Sequence, residues 1–210
     1  AGDRLRAALA AGLTPPRAER VCPTRESNAQ SPPTHPHRRC SRKRLPMSTI
    51  TSHLYIARHA WAEDFGEDGT DFSRSLTKKG IKRFRKMARR LAEAGMRADV
   101  IATSPLVRTR QTAEILAEEL FEHPPVVAVD ALAPGSDWAA MLDWTLEQNA
   151  ARVAWVGHSP CVGRLVAMAI GDASALIRMQ KGSVASIRLD DGLGHNGELA
   201  WLATADLLDA

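Results

Sequence analysis

The chain has 210 residues, of which 44% are hydrophobic, a composition that fits one globular domain with a buried core. No apolar run approaches the ~20 residues that a membrane-spanning helix requires, which argues against an integral membrane protein. The three cysteines, Cys22, Cys40 and Cys161, are too scattered to indicate a disulfide framework, so we expect a reducing, cytoplasmic location.

The net charge of +4 is unevenly distributed along the chain. Residues 1–46 hold ten Lys and Arg against three Asp and Glu, whereas residues 47–210 hold eighteen against twenty-one. The second part is therefore mildly acidic. The basic balance of the whole chain is thus no evidence that the globular part binds nucleic acid.

Residues 1–46 have the composition of an unfolded segment. They contain seven of the twelve prolines and few large aliphatic side chains, too few to offset the entropy of ordering the chain. We expect a disordered basic extension, followed by a globular domain over residues 47–210. A nuclear or nucleic-acid-binding signal, or an organelle transit peptide, would also explain the arginines. The simpler hypothesis is that Met47 is the natural start, which N-terminal sequencing of the native protein would test.

Predicted strands and helices alternate from His53 onward. In chain order, strands are predicted at 53–57, 100–103, 126–129 and 153–156, with helices at 77–94, 104–121, 136–146 and 159–171 after them, and a closing strand pair at 184–189 and 199–203. This alternation predicts an α/β three-layer sandwich, a mainly parallel sheet with helices on both faces. The short connection within the closing pair predicts an antiparallel strand at the edge.

Hydroxyl side chains mark the predicted helix starts. We expect Thr77, Ser104, Ser136 and Ser159 to be the four N-caps, since such side chains accept hydrogen bonds from the first free N–H groups. The first helix is amphipathic, with one apolar face and one face rich in Lys and Arg. We interpret the basic face as solvated, with docking of an acidic phosphoprotein as the alternative.

Charged side chains follow three of the predicted strands. Arg58 and His59 come after the first strand, Arg108 lies soon after the second, and His158 comes after the fourth. Because the carboxyl ends of parallel strands meet at one edge of a sheet, these side chains should converge. Two of the positions are also near helix N-termini, which favour anions. The sequence therefore predicts a phosphate site at this edge.

The residue types at this edge suit phosphoryl transfer. Arg58 and Arg108 can each bind two phosphoryl oxygens, and a protonated His158 can donate to a third. Ser104, at the start of the second predicted helix, is a further candidate for substrate binding. His59 is then the in-line nucleophile, with one ring nitrogen held by a backbone carbonyl and the other free to form a phosphohistidine. The scheme requires no metal and no cofactor.

These residues resemble the motifs of the histidine phosphatase superfamily, which has the phosphoglycerate mutase-like fold. Arg58-His59-Ala60 is similar to its Arg-His-Gly signature, residues 104–113 to its second block, and Gly157-His158-Ser159-Pro160 to its third. Residues 71–80, 132–134 and 182–185 resemble the short SixA-like branch, whose members are protein phosphohistidine phosphatases. The resemblance covers about residues 53–206 and implies a phosphatase of this kind.

The sequence departs from the family pattern at two points. The glycine that usually follows the nucleophile is replaced by Ala60. Residues 130–143 lack the glutamate that serves larger family members as general acid, and Asp137 is the candidate substitute. A weak proton donor disfavours alcohol esters and suits a phosphoramidate, whose P–N bond is more labile.

We therefore expect a phosphohistidine-bearing protein as the substrate, without a nucleic-acid or membrane partner. Short loops around the site favour a protein over the alternative of a small phosphorylated metabolite. A non-catalytic phosphate-binding interaction module is the competing interpretation from another class. A cysteine phosphatase is disfavoured, because Cys161 and Arg164 are too close in sequence to enclose a phosphate loop.

Overall fold

The computed structural model describes residues 51–190, 192–193 and 197–210. The predicted extension over residues 1–46 and the predicted start at Met47 lie outside the described residues. The described strands are β1 (His53–Arg58), β2 (Val100–Thr103), β3 (Val126–Ala128), β4 (Arg152–Gly157), β5 (Val184–Arg188) and β6 (Glu198–Ala203). The described α-helices are α1 (Lys78–Glu93), α2 (Val107–Glu119), α3 (Trp138–Glu147) and α4 (Cys161–Ala169).

The strands form one sheet in the order β3-β2-β4-β1-β5-β6. Strands β3, β2, β4 and β1 are parallel, β5 pairs antiparallel with β1, and β6 pairs antiparallel with β5. This confirms the mainly parallel α/β sheet predicted from the sequence. The reversed strand is β5, one place in from the edge that β6 forms.

Each face of the sheet buries its own hydrophobic core. In β1, Tyr55 and Ala57 belong to the core beneath α1 and α2, whereas Leu54 and Ile56 belong to the core beneath α3 and α4. This alternation follows from the two-residue period of a strand. Because both faces are covered, β1 lies at the centre of the molecule with its carboxyl end held between two layers of helices.

Helix α1 begins as the sequence predicts. The Thr77 hydroxyl accepts a hydrogen bond of 2.8 Å from the Gly80 N–H, which satisfies one of the free donors of the first turn. Phe84, Met87 and Leu91 form its buried face. The capping threonine therefore predicted the start of this helix, and the amphipathic pattern predicted which face is buried.

The predicted cap at Ser104 is wrong. Helix α2 begins three residues later, at Val107, and its N-cap is Leu106, whose side chain makes no capping bond. The Ser104 hydroxyl lies 2.9 Å from a ring nitrogen of His158, on the neighbouring strand end. The Leu106 N–H donates to the same hydroxyl at 3.5 Å across a bend at Pro105 and Leu106, and the helix starts only after this bend.

The predicted caps at Ser136 and Ser159 are also wrong. The N-cap of α3 is Asp137, whose carboxylate accepts from the Ala140 N–H at 3.1 Å, while the Ser136 hydroxyl donates to an earlier carbonyl. Helix α4 follows Pro160 as its N-cap, so Ser159 lies one residue too early to cap it. A carboxylate next to a serine competes well for the same N–H groups, which explains the shift at α3.

Among the described residues, no helix has both the length and the apolar character that crossing a bilayer would demand.

Candidate active site

The candidate site lies where β1, β4 and β2 end. The parallel register pairs Arg58 with Gly157 at the carboxyl ends of β1 and β4, and the next residues along the two strands are His59 and His158. The His59 N–H donates to the Gly157 carbonyl at 3.0 Å, which extends this pairing by one step. The two imidazole ring centroids are 5.4 Å apart. Strand register therefore places the two predicted histidines side by side.

His59 is held by its own neighbour. Its side chain is buried, and Nδ1 lies 2.8 Å from the Ala60 carbonyl oxygen. Since a carbonyl only accepts, Nδ1 carries the proton in the neutral ring and Nε2 keeps a free lone pair. The Ala60 N–H in turn donates to the Thr112 hydroxyl at 3.1 Å, which fixes this turn against α2. The geometry gives His59 the orientation that the sequence predicts for a nucleophile.

The surroundings of His59 keep it neutral. Burial lowers its pKa to about 3; the contact with the Ala60 carbonyl opposes this shift, and the positive charges of His158, Arg108 and Arg58 add to it. A histidine with this pKa is unprotonated throughout the physiological range. Its free nitrogen is therefore available to attack an electrophile.

His158 is oriented by Ser104. Its Nε2 lies 2.9 Å from the Ser104 hydroxyl, and its Nδ1 is buried without a hydrogen-bond partner among the described residues. Burial lowers the pKa of His158 to about 4, the charge of Arg108 lowers it further, and the Asp71 carboxylate opposes the shift. Ser104 is fully buried. Its hydroxyl therefore serves as a positioning contact for His158, and the substrate contact expected of Ser104 stays a prediction.

Arg108 is buried against a carboxylate from a distant loop. Its Nη2 donates to Asp71 Oδ2 at 2.9 Å and its Nη1 to the Asp71 carbonyl at 2.6 Å. Asp71 also pairs with Arg74, and the hydrogen bonds from Arg74 and then Arg108 lower the pKa of its carboxyl group. No sequence pattern predicted a role for Asp71 itself; the one signal was its place at the start of the segment 71–80.

Arg58 is anchored by a segment just before β5. Its Nη1 donates to the Met179 carbonyl at 2.9 Å. Burial lowers the pKa of Arg58 below its ordinary value. Sequence patterns gave no indication of Met179, because the contact uses a backbone oxygen and a side chain 121 residues away.

The site contains buried polar atoms that have no hydrogen-bond partner in the described part of the chain. Arg58 Nε, Arg108 Nε and His158 Nδ1 are buried without a hydrogen-bond partner among the described residues. An unpaired buried polar group costs about 1–3 kcal/mol, and such groups are rare in folded proteins. With two guanidinium groups in the same place, the site is electropositive and is organised to favour an oxyanion.

Asp137, the candidate general acid, has a different use in the structure. It is exposed, and its carboxylate caps α3 through the Ala140 N–H. Within the described part of the chain, the carboxylate that contacts the site is that of Asp71, through Arg108. Because its pKa is lowered, Asp71 is ionised at neutral pH and is a poor proton donor.

Comparison with known proteins agrees with this geometry. A family model described as the histidine phosphatase superfamily (branch 1) matches residues 54–160. An uncharacterised protein of Picosynechococcus is 39% identical over 140 residues, which cover 64% of this chain and 84% of that protein.

Solved structures share the fold. The protein histidine phosphatase SixA complexed with tungstate is 26% identical, with a TM-score of 0.66 over 74% of this chain and 99% of that chain. SixA from Agrobacterium tumefaciens, at 21% identity and a TM-score of 0.61, covers the same shares, 74% and 99%. The phosphoglycerate mutase-like fold implied by the sequence is thereby confirmed.

The family match spans half of the chain and includes all three sequence motifs, at residues 58–60, 104–113 and 157–160. Together with the shared fold, it supports phosphatase activity. The chain therefore belongs to the histidine phosphatase superfamily, in its SixA-like branch.

Proposed function

We propose that the chain is a protein phosphohistidine phosphatase that uses His59 as its nucleophile and needs no metal. The observation that carries the proposal is the neutral His59, whose Nδ1 is held by the Ala60 carbonyl and whose Nε2 is left unprotonated. Its neighbours Arg58 and Arg108 supply positive charge for a phosphoryl group, and His158 can add to it once a bound anion raises its pKa. A cytoplasmic location, inferred from the scattered cysteines, is part of the same proposal.

The first chemical step transfers the phosphoryl group to the enzyme. Arg58 and Arg108 bind its equatorial oxygens, and His158 donates to one of them once the anion has raised its pKa. The His59 Nε2 lone pair forms a bond to phosphorus as the bond to the leaving nitrogen breaks. That nitrogen departs with the bonding pair and takes a proton from solvent.

The second step releases orthophosphate. A water oxygen bonds to phosphorus, the bond to His59 Nε2 breaks, and the ring recovers its lone pair. One hydrogen of the water stays on the phosphate, and the other returns to solvent as a proton. Because Nδ1 keeps its proton throughout, the Ala60 contact holds the ring in one orientation across both steps.

The carboxylates near the site are poor proton donors, and this limits which leaving groups can depart. Asp137 caps a helix, and the ionised Asp71 is paired with Arg108 and Arg74. An alkoxide leaves poorly without a proton, whereas an imidazole leaves readily. This favours phosphohistidine over an alcohol ester as substrate. The likeness to SixA, described as a protein histidine phosphatase, supports the same class.

A side-by-side assay tests the proposal. Purified protein is given a histidine-phosphorylated protein, phosphoramidate and a panel of phosphate esters, including small metabolites, and released orthophosphate is measured. We expect turnover of the first two at rates at least roughly a hundredfold above the esters. Preferential turnover of a metabolite ester would identify a metabolite phosphatase, and phosphate binding without any turnover would identify a binding module.

Variants test the roles of the residues. We expect His59→Ala to abolish turnover and the acid-labile phosphoenzyme that isotopic labelling detects. Arg108→Ala should lower kcat/KM by about 10²–10³, the usual effect of removing one charge-stabilising group. Full activity of His59→Ala would remove the covalent mechanism.

A further inference from the structure

A basic cavity adjoins the candidate active site. It has a volume of about 460 Å³, and Arg58 of the site is one of its lining residues. The charged side chains that line it are those of Arg58, Arg83, Arg178, Lys181 and Asp206. With four cations and one carboxylate, this cavity is strongly electropositive although the domain as a whole is mildly acidic.

The segment before β5 forms one wall of the cavity. Met179 is buried and gives its carbonyl to Arg58, while Arg178 and Lys181 are exposed on either side of it. Among the described residues, neither Arg178 nor Lys181 has a carboxylate within ion-pair distance. The contact that anchors the catalytic arginine therefore also presents two unneutralised cations at the mouth of the site.

Arg83 connects this cavity to the exposed side of α1. Its guanidinium lies over the Trp61 ring, 4.4 Å from the ring centroid, and pairs with Asp206. Arg83 also lines a groove of about 650 Å³ along α1, together with Lys79 and Lys82. The two cavities are therefore neighbours that share one arginine.

The cations of α1 differ in how far they are neutralised. Arg85 and Arg89 both pair with Glu119 of α2. Lys79 and Lys82 are exposed and have no ion pair among the described residues. We define the basic face as the cationic side chains that either have no ion pair among the described residues or line both cavities. These are Lys79, Lys82, Arg83, Arg178 and Lys181.

We propose that the basic face docks an acidic surface of the protein that carries the phosphohistidine. This inference rests on the proposed function and names the chemistry of its partner. The two adjacent cavities have volumes of about 460 and 650 Å³. Together they are larger than the space that one small phosphorylated metabolite fills, whereas a protein surface can extend across both. Opposite charge on the two surfaces speeds their encounter and sets their register.

A nucleic acid fits this face less well. Proteins that bind single strands stack bases on exposed aromatic rings. Trp61, the aromatic residue that lines the cavity, is half-buried and is covered by the guanidinium of Arg83. The face therefore offers charge without a stacking platform, which favours an acidic protein.

Two phosphohistidine peptides of equal length provide the test. One carries Asp and Glu around the phosphohistidine, and the other carries Asn and Gln at the same positions. We expect the wild-type protein to have a kcat/KM at least about tenfold higher for the acidic peptide. The preference should shrink as sodium chloride rises from 50 to 500 mM, because salt screens exposed charges.

The double variant Lys79→Glu/Lys82→Glu should reduce this preference to about twofold or less. Both positions are exposed, and the new glutamate at position 79 lies in the first turn of α1, where a negative charge is favourable, so the fold should persist. Arg188→Gln is the control, because glutamine removes a surface charge without placing a third carboxylate beside Asp190 and Glu198, the ion-pair partners of Arg188. Arg188 lies opposite His53 in the strand register, at the amino end of β1 and thus away from the site, and the variant should retain the full preference.

Phosphoramidate separates docking from chemistry, since its single phosphoryl group does not extend to α1. The docking proposal holds if the double variant hydrolyses phosphoramidate at the wild-type rate but loses the preference. Equal wild-type activity on the two peptides would overturn it, as would competition by a single-stranded RNA at lower concentration than the acidic peptide. Absence of turnover on phosphoramidate and on both peptides would instead overturn the proposed function.

Discussion

A single backbone carbonyl decides how His59 can react. The Ala60 oxygen holds the proton on Nδ1, and burial among cationic neighbours keeps Nε2 unprotonated. The residue types and their place after strands could be predicted from the sequence, because strand ends and helix starts are local patterns. The contact between Arg108 and Asp71 could not, since it joins a helix to a loop 37 residues earlier and leaves no periodic signal.

The low pKa values of the two histidines predict acid sensitivity. In the folded protein, burial holds the pKa of His59 at about 3 and that of His158 at about 4, while both are near 6.5 when unfolded. Below pH 6.5 the unfolded chain therefore binds more protons, so the free energy of unfolding falls as the pH drops from 6.5 toward 3. Each histidine should remove roughly 1–2 kcal/mol by pH 5.

Urea denaturation at pH 7.5 and pH 5 measures this effect. We expect His59→Gln to lose less stability between the two pH values than the wild-type protein, because one titrating group is gone. An identical loss in the two proteins would contradict the depressed pKa of His59.

At the scale of elements, strand register brings the two histidines of the site together, and a loop contact positions one of its arginines. The pairing of β1 with β4 brings His59 beside His158, which explains why alternating strands and helices were sufficient to predict that these residues meet. Helix starts were predicted less well. Ser104 was expected to cap α2, but its hydroxyl binds His158 across the sheet, a competition that local sequence does not reveal.

The loop between β1 and α1 contributes Asp71, and its carboxylate positions Arg108. We expect Asp71→Asn to lower kcat by roughly tenfold without raising KM, since the change loosens Arg108 but also removes a negative charge from the anion site. Steady-state kinetics on phosphoramidate distinguish the two constants. Asp64→Asn, an exposed residue of the same loop, should behave like the wild-type protein. A higher KM with unchanged kcat would argue against a positioning role.

At the scale of the whole molecule, two hydrophobic cores keep the sheet rigid beneath the site. Trp155 of β4 is fully buried, and its indole N–H donates to the Thr145 hydroxyl of α3 at 3.0 Å. This bond connects a central strand to a helix of one layer. The hydrophobic pattern was sufficient to predict both layers, whereas the pairing of these two side chains depends on how α3 is rotated over the sheet.

Thr145→Val should therefore destabilise the protein. Valine keeps the shape of threonine but leaves the indole N–H of Trp155 buried and unpaired, which costs about 1–3 kcal/mol. Chemical denaturation measures the change in the free energy of unfolding. Thr145→Ser keeps the hydroxyl and should retain more of the stability; a loss in Thr145→Ser as large as in Thr145→Val would show that the methyl group matters more than the bond.

The reversed direction of β5 places the segment that precedes it beside the candidate site. Because β5 runs against β1, its amino end at Val184 lies beside the carboxyl end of β1, and the residues that lead into it border the candidate site. Gly182 and Ser183 hold this junction through backbone bonds to His59 and Arg58. Residues 172–178 lie outside those bonds, so a change of length or charge in this segment would leave the backbone that carries Arg58 and His59 in place.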